Sequence, residues 1–185
     1  LPSSTKTRYI LTVVDEYSRF PFAFPCSDID ANTVVRCLTE IFTLFGEPGF
    51  VHSDRGKQFI SSCVKSFLMK HRIGSSHSAA YNPKGNGQCE RYNGIIWRTV
   101  RLALRSRGLD IDKWQVVLPE ALHSIRSLLC TATNETPHQR FLGYSRRHSL
   151  GPGLPAWLQE KGKVLLKKHV KNSKYEDDYC MMKWT

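Results

Sequence analysis

At 185 residues, with 41% apolar and 11% aromatic residues, the chain is long enough for one well-buried domain plus an extension, and its composition argues against disorder. No apolar run approaches the roughly 18–20 residues that a membrane helix needs, so no membrane role is expected. Lys and Arg outnumber Asp and Glu by 27 to 16, a net charge of +11. That balance favours an anionic polymer as partner, the alternative being a merely soluble basic surface.

The opening Leu1-Pro2-Ser3-Ser4 has neither the charged start nor the apolar run of a signal peptide, and no initiator Met precedes it. A fragment or a processed product is expected. The six cysteines (Cys26, Cys37, Cys63, Cys89, Cys130, Cys180) form no Cys-x-x-Cys pair and no Cys/His cluster at zinc spacing. They read as reduced thiols, mostly small buried apolar residues of an intracellular protein.

Along the chain, Tyr9-Ile10-Leu11-Thr12-Val13-Val14 is a nearly unbroken apolar run, as expected of a strand covered on both faces. A polar turn from Asp15 to Arg19 leads to an aromatic-rich run, Phe20 to Phe24, and the two predict a hairpin. Asp30 or Asn32 can cap a helix whose apolar positions Val34, Leu38, Ile41, Phe42 and Phe45 have helical spacing, with Gly46 and Pro48 ending it. Gly49 to Ser53 predicts a third strand that delivers Asp54 to its C-terminal end. A helix over 58–71 and a weaker strand over 73–79 follow.

Ala80-Tyr81-Asn82-Pro83-Lys84-Gly85-Asn86-Gly87 is loop by its Pro, Gly and Asn content. Helices are predicted over 88–107, from Asp112 to Cys130, and from Thr136 to Leu142. From Gly151 the composition changes to Gly-Pro-Gly-Leu-Pro and then a lysine-rich stretch. Residues 1–150 therefore read as one core domain and 151–185 as a basic linker or the start of another module. Strands first, then strands alternating with helices, predict an α/β fold: a mixed sheet with helices on its faces.

Two acids stand out by context. Asp54 follows a buried strand and precedes Arg55-Gly56; Glu90 opens the long helix after the Gly-rich loop, with 35 residues between them. Carboxylates that converge from different elements are what a hard cation such as Mg²⁺ requires, and two such ions can clamp the oxygens of a phosphoryl transfer. Each acid also has a plain structural reading. Asp after a strand often forms a turn, and Glu in a first helical turn favours the helix dipole.

The helix pattern around Glu90 bears on that choice. At about 100° per residue, Gly94, Arg98, Arg101 and Arg105 fall on the side of Glu90, together with Trp97. Ile95, Ile96, Thr99, Val100 and Ala103 fall on the other side, which is the face to bury. A merely solvated face normally mixes both signs of charge, yet no acid lies between Arg91 and Arg107. A basic stripe with one aromatic beside a carboxylate suits a phosphate backbone approaching a metal site.

His52-Ser53-Asp54-Arg55-Gly56-x-x-Phe59 and Tyr81-Asn82-Pro83-x-Gly85-x-Gly87-Gln88-x-Glu90-Arg91-x-Asn93 resemble the second and third acids of the retroviral integrase D,D-35-E motif. Val13-Val14-Asp15-x-x-Ser18-Arg19 resembles the family's second strand, and Leu118 to Leu122 with Thr136-Pro137 resemble its later helices. The tail, Leu154-Pro155-x-Trp157-Leu158 and Val164 to Val170, is similar to the region after the core in Ty3/Gypsy-type retrotransposon polyproteins. The resemblance covers nearly the whole chain.

It implies a ribonuclease H-like fold and Mg²⁺-dependent (or Mn²⁺-dependent) end processing and strand transfer of element DNA into target DNA. Asp54 and Glu90 would be the catalytic metal ligands. Lys84, Asn86 and Gln88 in the loop, Asn93 one turn on from Glu90, and the arginines Arg98, Arg101 and Arg105 would meet DNA. The resemblance also implies a homo-oligomer that acts in the nucleus after a cytoplasmic stage. Its first Asp lies on the first strand, just before a Gly-Pro-Leu-Pro-like segment that Leu1-Pro2 resembles, so that Asp is expected upstream of Leu1. Asp15 matches the second-strand position and reads as a turn residue. The first strand sits centrally in this fold, between the hairpin and the strand ending at Asp54. Residues 1–185 alone are therefore expected to be inactive and poorly stable. A ribonuclease H-type nuclease and a non-catalytic DNA- or chromatin-binding module derived from a retroelement are the competing readings; the loop and the 35-residue spacing fit the first less well, and the retained acids weigh against the second.

Overall fold

A computed structural model of the chain describes residues 7–78, 87–131, 133–144, 146–148, 151–152 and 182–183. Strands β1 (Tyr9–Val14) and β2 (Pro21–Cys26) form an antiparallel hairpin in the register Tyr9↔Cys26 to Val14↔Pro21. Its turn is closed by Asp15, whose N–H donates to the Phe20 carbonyl at 3.0 Å, while Arg19 takes a left-handed φ of 65°. Pro21 and Pro25 cannot donate to a second neighbour, which suits β2 to a sheet edge.

Helix α1 (Ala31–Phe45) starts at Asp30, whose carboxylate accepts the Thr33 N–H at 2.7 Å. Hydrogen bonding from Thr33 holds the Asp30 carboxyl below its ordinary range. The helix ends at Gly46, where φ is 89° and the N–H donates back to Phe42. Strand β3 (Phe50–Ser53) pairs in parallel with β4 (Gly74–His77), and α2 (Ser62–Lys70) connects them. Helix α2 starts later than its apolar pattern predicts, because the Ser61 hydroxyl accepts the Val64 N–H and caps it there.

Helix α3 (Gly87–Ser106) leads through a short 3₁₀ turn (Ile111–Lys113) into α4 (Trp114–Ser127). Helix α5 (Pro137–Leu142) has Thr136 as its cap, Pro137 in its first turn and a left-handed Gly143 after it. Two short pairs complete the described chain. Strand β5 (Arg147–His148) pairs with β6 (Gly151–Pro152) across the expected 150/151 division, and β7 (Met182–Lys183) lies antiparallel to Phe50 and Val51 of β3.

The hairpin lies between two apolar layers. Val13, Phe20 and Phe22 pack on Val34, Leu38 and Ile41 of α1, whereas Val14 packs on Ile96, Val100, Trp114 and Val117 of α3 and α4. Neighbouring residues serve opposite layers because strand side chains alternate, which is why the β1 run is apolar almost throughout. Arg126 of α4 crosses the hairpin. Its guanidinium lies 4.4 Å from the Phe20 ring and donates to the Pro21 carbonyl at 2.8 and 3.0 Å. Burial pushes its pKa down to about 10, so it stays charged at neutral pH.

His138 of α5 is 5% exposed, beside Tyr144, and its pKa is lowered by burial and then by Arg146, Arg126 and His123. With the folded pKa below the ordinary 6.5, the unfolded chain binds the extra proton first. This contribution to stability is complete above pH 6.5 and is lost as pH falls through the folded pKa. Urea midpoints at several pH values should therefore drop on the acid side of 6.5. The drop should be smaller in His138→Gln; equal acid slopes in the two proteins would refute this origin.

Among the described residues the sheet is not continuous: β1–β2 and β4–β3–β7 are separate hydrogen-bonded sets. A cleft of about 240 Å³ lies between β1 and β3, floored by Val34, Leu38, Val64 and Leu68.

Candidate catalytic cleft

Asp54 leaves the C-terminal end of β3 half-buried, in the wall of this cleft. Its Oδ1 accepts the Gly56 N–H at 2.8 Å, so the chain folds back over the carboxylate. A Cβ on Gly56 would lie 2.9 Å from that oxygen and 2.6 Å from the Gln58 amide, so a larger residue would make both side chains shift. The Phe59 and Ile60 N–H groups both donate to the Gly56 carbonyl and fasten the turn. Gln58 and Phe59 then join the cleft wall.

The first turn of α3 forms another part of the wall through Cys89 and Asn93, with Glu90 between them in sequence and exposed. Tyr92, Ile96, Val100 and Leu104 are buried; Arg98, Arg101 and Arg105 are exposed. Among the described residues none of these three arginines forms an ion pair, whereas Arg107 is paired with Glu120 at 2.6 Å. Burial lifts the Tyr92 phenol to about 12, so it is a neutral core residue.

Several expectations need correction. Gln88 lies in the first turn of α3 rather than in the loop, because the helix begins at Gly87. Trp97, expected within the basic stripe, turns inward against Trp114 with ring centroids 6.4 Å apart, and Arg101 covers it at 5.6 Å. An indole at the margin of the stripe gains more from joining the α3–α4 core than from standing in water. The described cysteines are mixed rather than mostly buried: Cys26 and Cys37 are buried, Cys63 is exposed, and Cys89 and Cys130 are intermediate, while Cys180 lies outside the described residues. Lys84 and Asn86 lie outside the described residues.

Asp15 is 1% exposed, and its Oδ2 accepts the Ser18 N–H at 2.7 Å and the Ser18 hydroxyl. Its carboxylate thus closes the hairpin turn and is absent from the cleft wall. Among the described residues no group of three or more His, Cys, Asp or Glu side chains could hold a metal ion. No helix among them is long and apolar enough to cross a membrane. Sequence reasoning missed one set of residues: His52 and Ser53 on β3 face Ser76 and His77 on β4, a reciprocal His–Ser pairing just below Asp54. The reversed order His-Ser and Ser-His on two predicted strands was its only trace.

The chain carries these residues on the ribonuclease H-like fold of a retroviral-type integrase core. Residues 1–83 match the family described as integrase core domain. The chain is 34% identical over 128 residues to the Gag-Pol polyprotein of Koala retrovirus, covering 68% of this chain and 7% of that protein. It is 25% identical over 175 residues to the Pro-Pol polyprotein of Simian foamy virus type 3 (strain LK3), covering 95% of this chain and 15% of that one. The chain thus spans a small part of the polyproteins it matches.

Two solved structures share the fold at 21% identity. The HTLV-2 integrase catalytic core domain in complex with magnesium, in a trimeric form, has a TM-score of 0.58 over 69% of this chain and 80% of that one. The simian T-cell lymphotropic virus intasome in complex with PP2A regulatory subunit B56 gamma has a TM-score of 0.67 over 84% and 55%.

Proposed function

We propose that this chain is the DNA-joining core of a Ty3/Gypsy-like polyprotein, acting with Mg²⁺ or Mn²⁺ on element ends and target DNA. The observation that carries this reading is the placement of Asp54 in a cleft bordered by the α3 turn bearing Glu90, at the head of an arginine face. Two hard carboxylates on separate elements fit part of a divalent cation's donor set. Asp54 and Glu90 would hold it, and the bound ion would supply stabilisation of charge on the reacting phosphodiester. The chain's own residues do the rest. Gly56 and the β3–β4 pair aim Asp54, while Arg98, Arg101 and Arg105 bind phosphates and align the duplex along α3.

Lys84, Asn86, Gln88 and Asn93 would contact the DNA near the cleft. Residues 1–150 form the core in this reading, and 151–185 serve as a basic linker or the start of a further module. The intact protein would act as a homo-oligomer in the nucleus, after a cytoplasmic stage.

The test is a salt titration of binding to a short duplex. Each phosphate contact contributes about 0.9 to the slope of log K against log salt. Replacing the three arginines of the stripe by Gln should lower that slope by about 2.7 without changing the unfolding midpoint. An unchanged slope would remove the stripe from the DNA interface.

A further inference from the structure

We propose that His77 is a positioning residue for Asp54, held in a single tautomer by Ser53. The inference rests on the reading of Asp54 as a metal ligand and names a residue that acts through it. The Ser53 hydroxyl donates to the Asp54 carbonyl at 3.0 Å. A hydroxyl carries one proton. In its 2.9 Å contact with His77 Nδ1, Ser53 is therefore the acceptor and the imidazole is the donor. A neutral His77 thus keeps its proton on Nδ1, and one chain of bonds runs from the ring through Ser53 to the backbone of Asp54.

The brace stands at the C-terminal end of β3, where its pairing with β4 stops. A strand end opens more readily than a strand interior. At this end the Ser78 N–H donates to the Ser53 carbonyl at 3.0 Å, and His52 Nδ1 meets the Ser76 hydroxyl at 2.6 Å. Successive residues point to opposite faces. The His52–Ser76 and Ser53–His77 pairs therefore clamp the two strands from both sides, immediately before Asp54 emerges. His77 itself lines the cleft into which Asp54 opens.

The experiment uses the whole chain labelled with ¹⁵N. Long-range ¹H–¹⁵N spectra should show His77 as the Nδ1–H form at a pH where the ring is neutral. Mn²⁺ titration, followed by paramagnetic broadening of the Gly56 amide, should show affinity weakened roughly 10-fold or more in His77→Phe. His77→Asn should recover most of it, because its amide N–H can stand in for Nδ1–H. Hydrogen exchange of the Gly56 amide, which is bonded to Asp54 Oδ1, should quicken in His77→Phe and slow again in His77→Asn, with no metal present. An Nε2–H tautomer, or a His77→Phe protein equal to the parent in Gly56 exchange, overturns the proposal. If the unsubstituted chain binds no Mn²⁺, the ligand reading of Asp54 fails, while the tautomer and the exchange series still decide the role of His77.

Discussion

Replacing Trp114 by alanine is expected to destabilise the fold by about 3–5 kcal/mol, much of the stability of a domain of this size. Trp114 is fully buried at the start of α4, where it packs with Trp97, Ile96, Val100 and Val117 and joins α3 to α4. No neighbouring side chain can refill the volume of an indole, so a cavity adds to the lost transfer energy. Its Nε1 has no acceptor among the described residues. An unsatisfied buried donor costs about 1–3 kcal/mol, so Trp114→Phe should lose far less than its smaller area implies. Urea unfolding followed by circular dichroism measures both. A Trp114→Ala midpoint close to that of the parent would show that α3 is held by something other than this core. The consequence reaches function, since the α3–α4 contact sets where Glu90 and the arginine face stand relative to the hairpin.

The second large effect concerns chemistry. In the longer protein, Asp54→Asn or Glu90→Gln should lower Mg²⁺-dependent strand transfer by roughly 10²–10³-fold, the rate equivalent of several kcal/mol of lost charge stabilisation. Both changes keep shape and remove charge, and in Asp54→Asn the side-chain amide oxygen can still accept the Gly56 N–H. Folding and DNA binding should stay near the parent's, whereas the arginine substitutions should weaken binding through its salt dependence. Retained activity in Asp54→Asn would remove that residue from the site.

Much of this was legible in the sequence wherever the cause is local. The Asp30 cap and the Gly46 stop bound α1 because capping bonds span three or four residues. The buried face of α3 follows from helical periodicity, and Tyr92, Ile96, Val100 and Leu104 fill it. The motif around Asp54 could be read as a strand end followed by a turn. The bond from the Gly56 N–H to the carboxylate is visible only in three dimensions. Trp97 shows the limit of periodicity: its helical angle placed it with the arginines, and the arrival of Trp114 decided for the core.

The amino-acid sequence by itself determined the main strands and helices, the two acids with their spacing and the arginine face, since each follows from patterns read along the chain. Tertiary structure decided that Trp97 turns inward onto Trp114, that β1 and β3 face each other across a cleft, and that His77 reaches Ser53. Those outcomes depend on which helices pack together, which strands pair and in what register. Such contacts join residues far apart in sequence, and packing of the whole chain selects them.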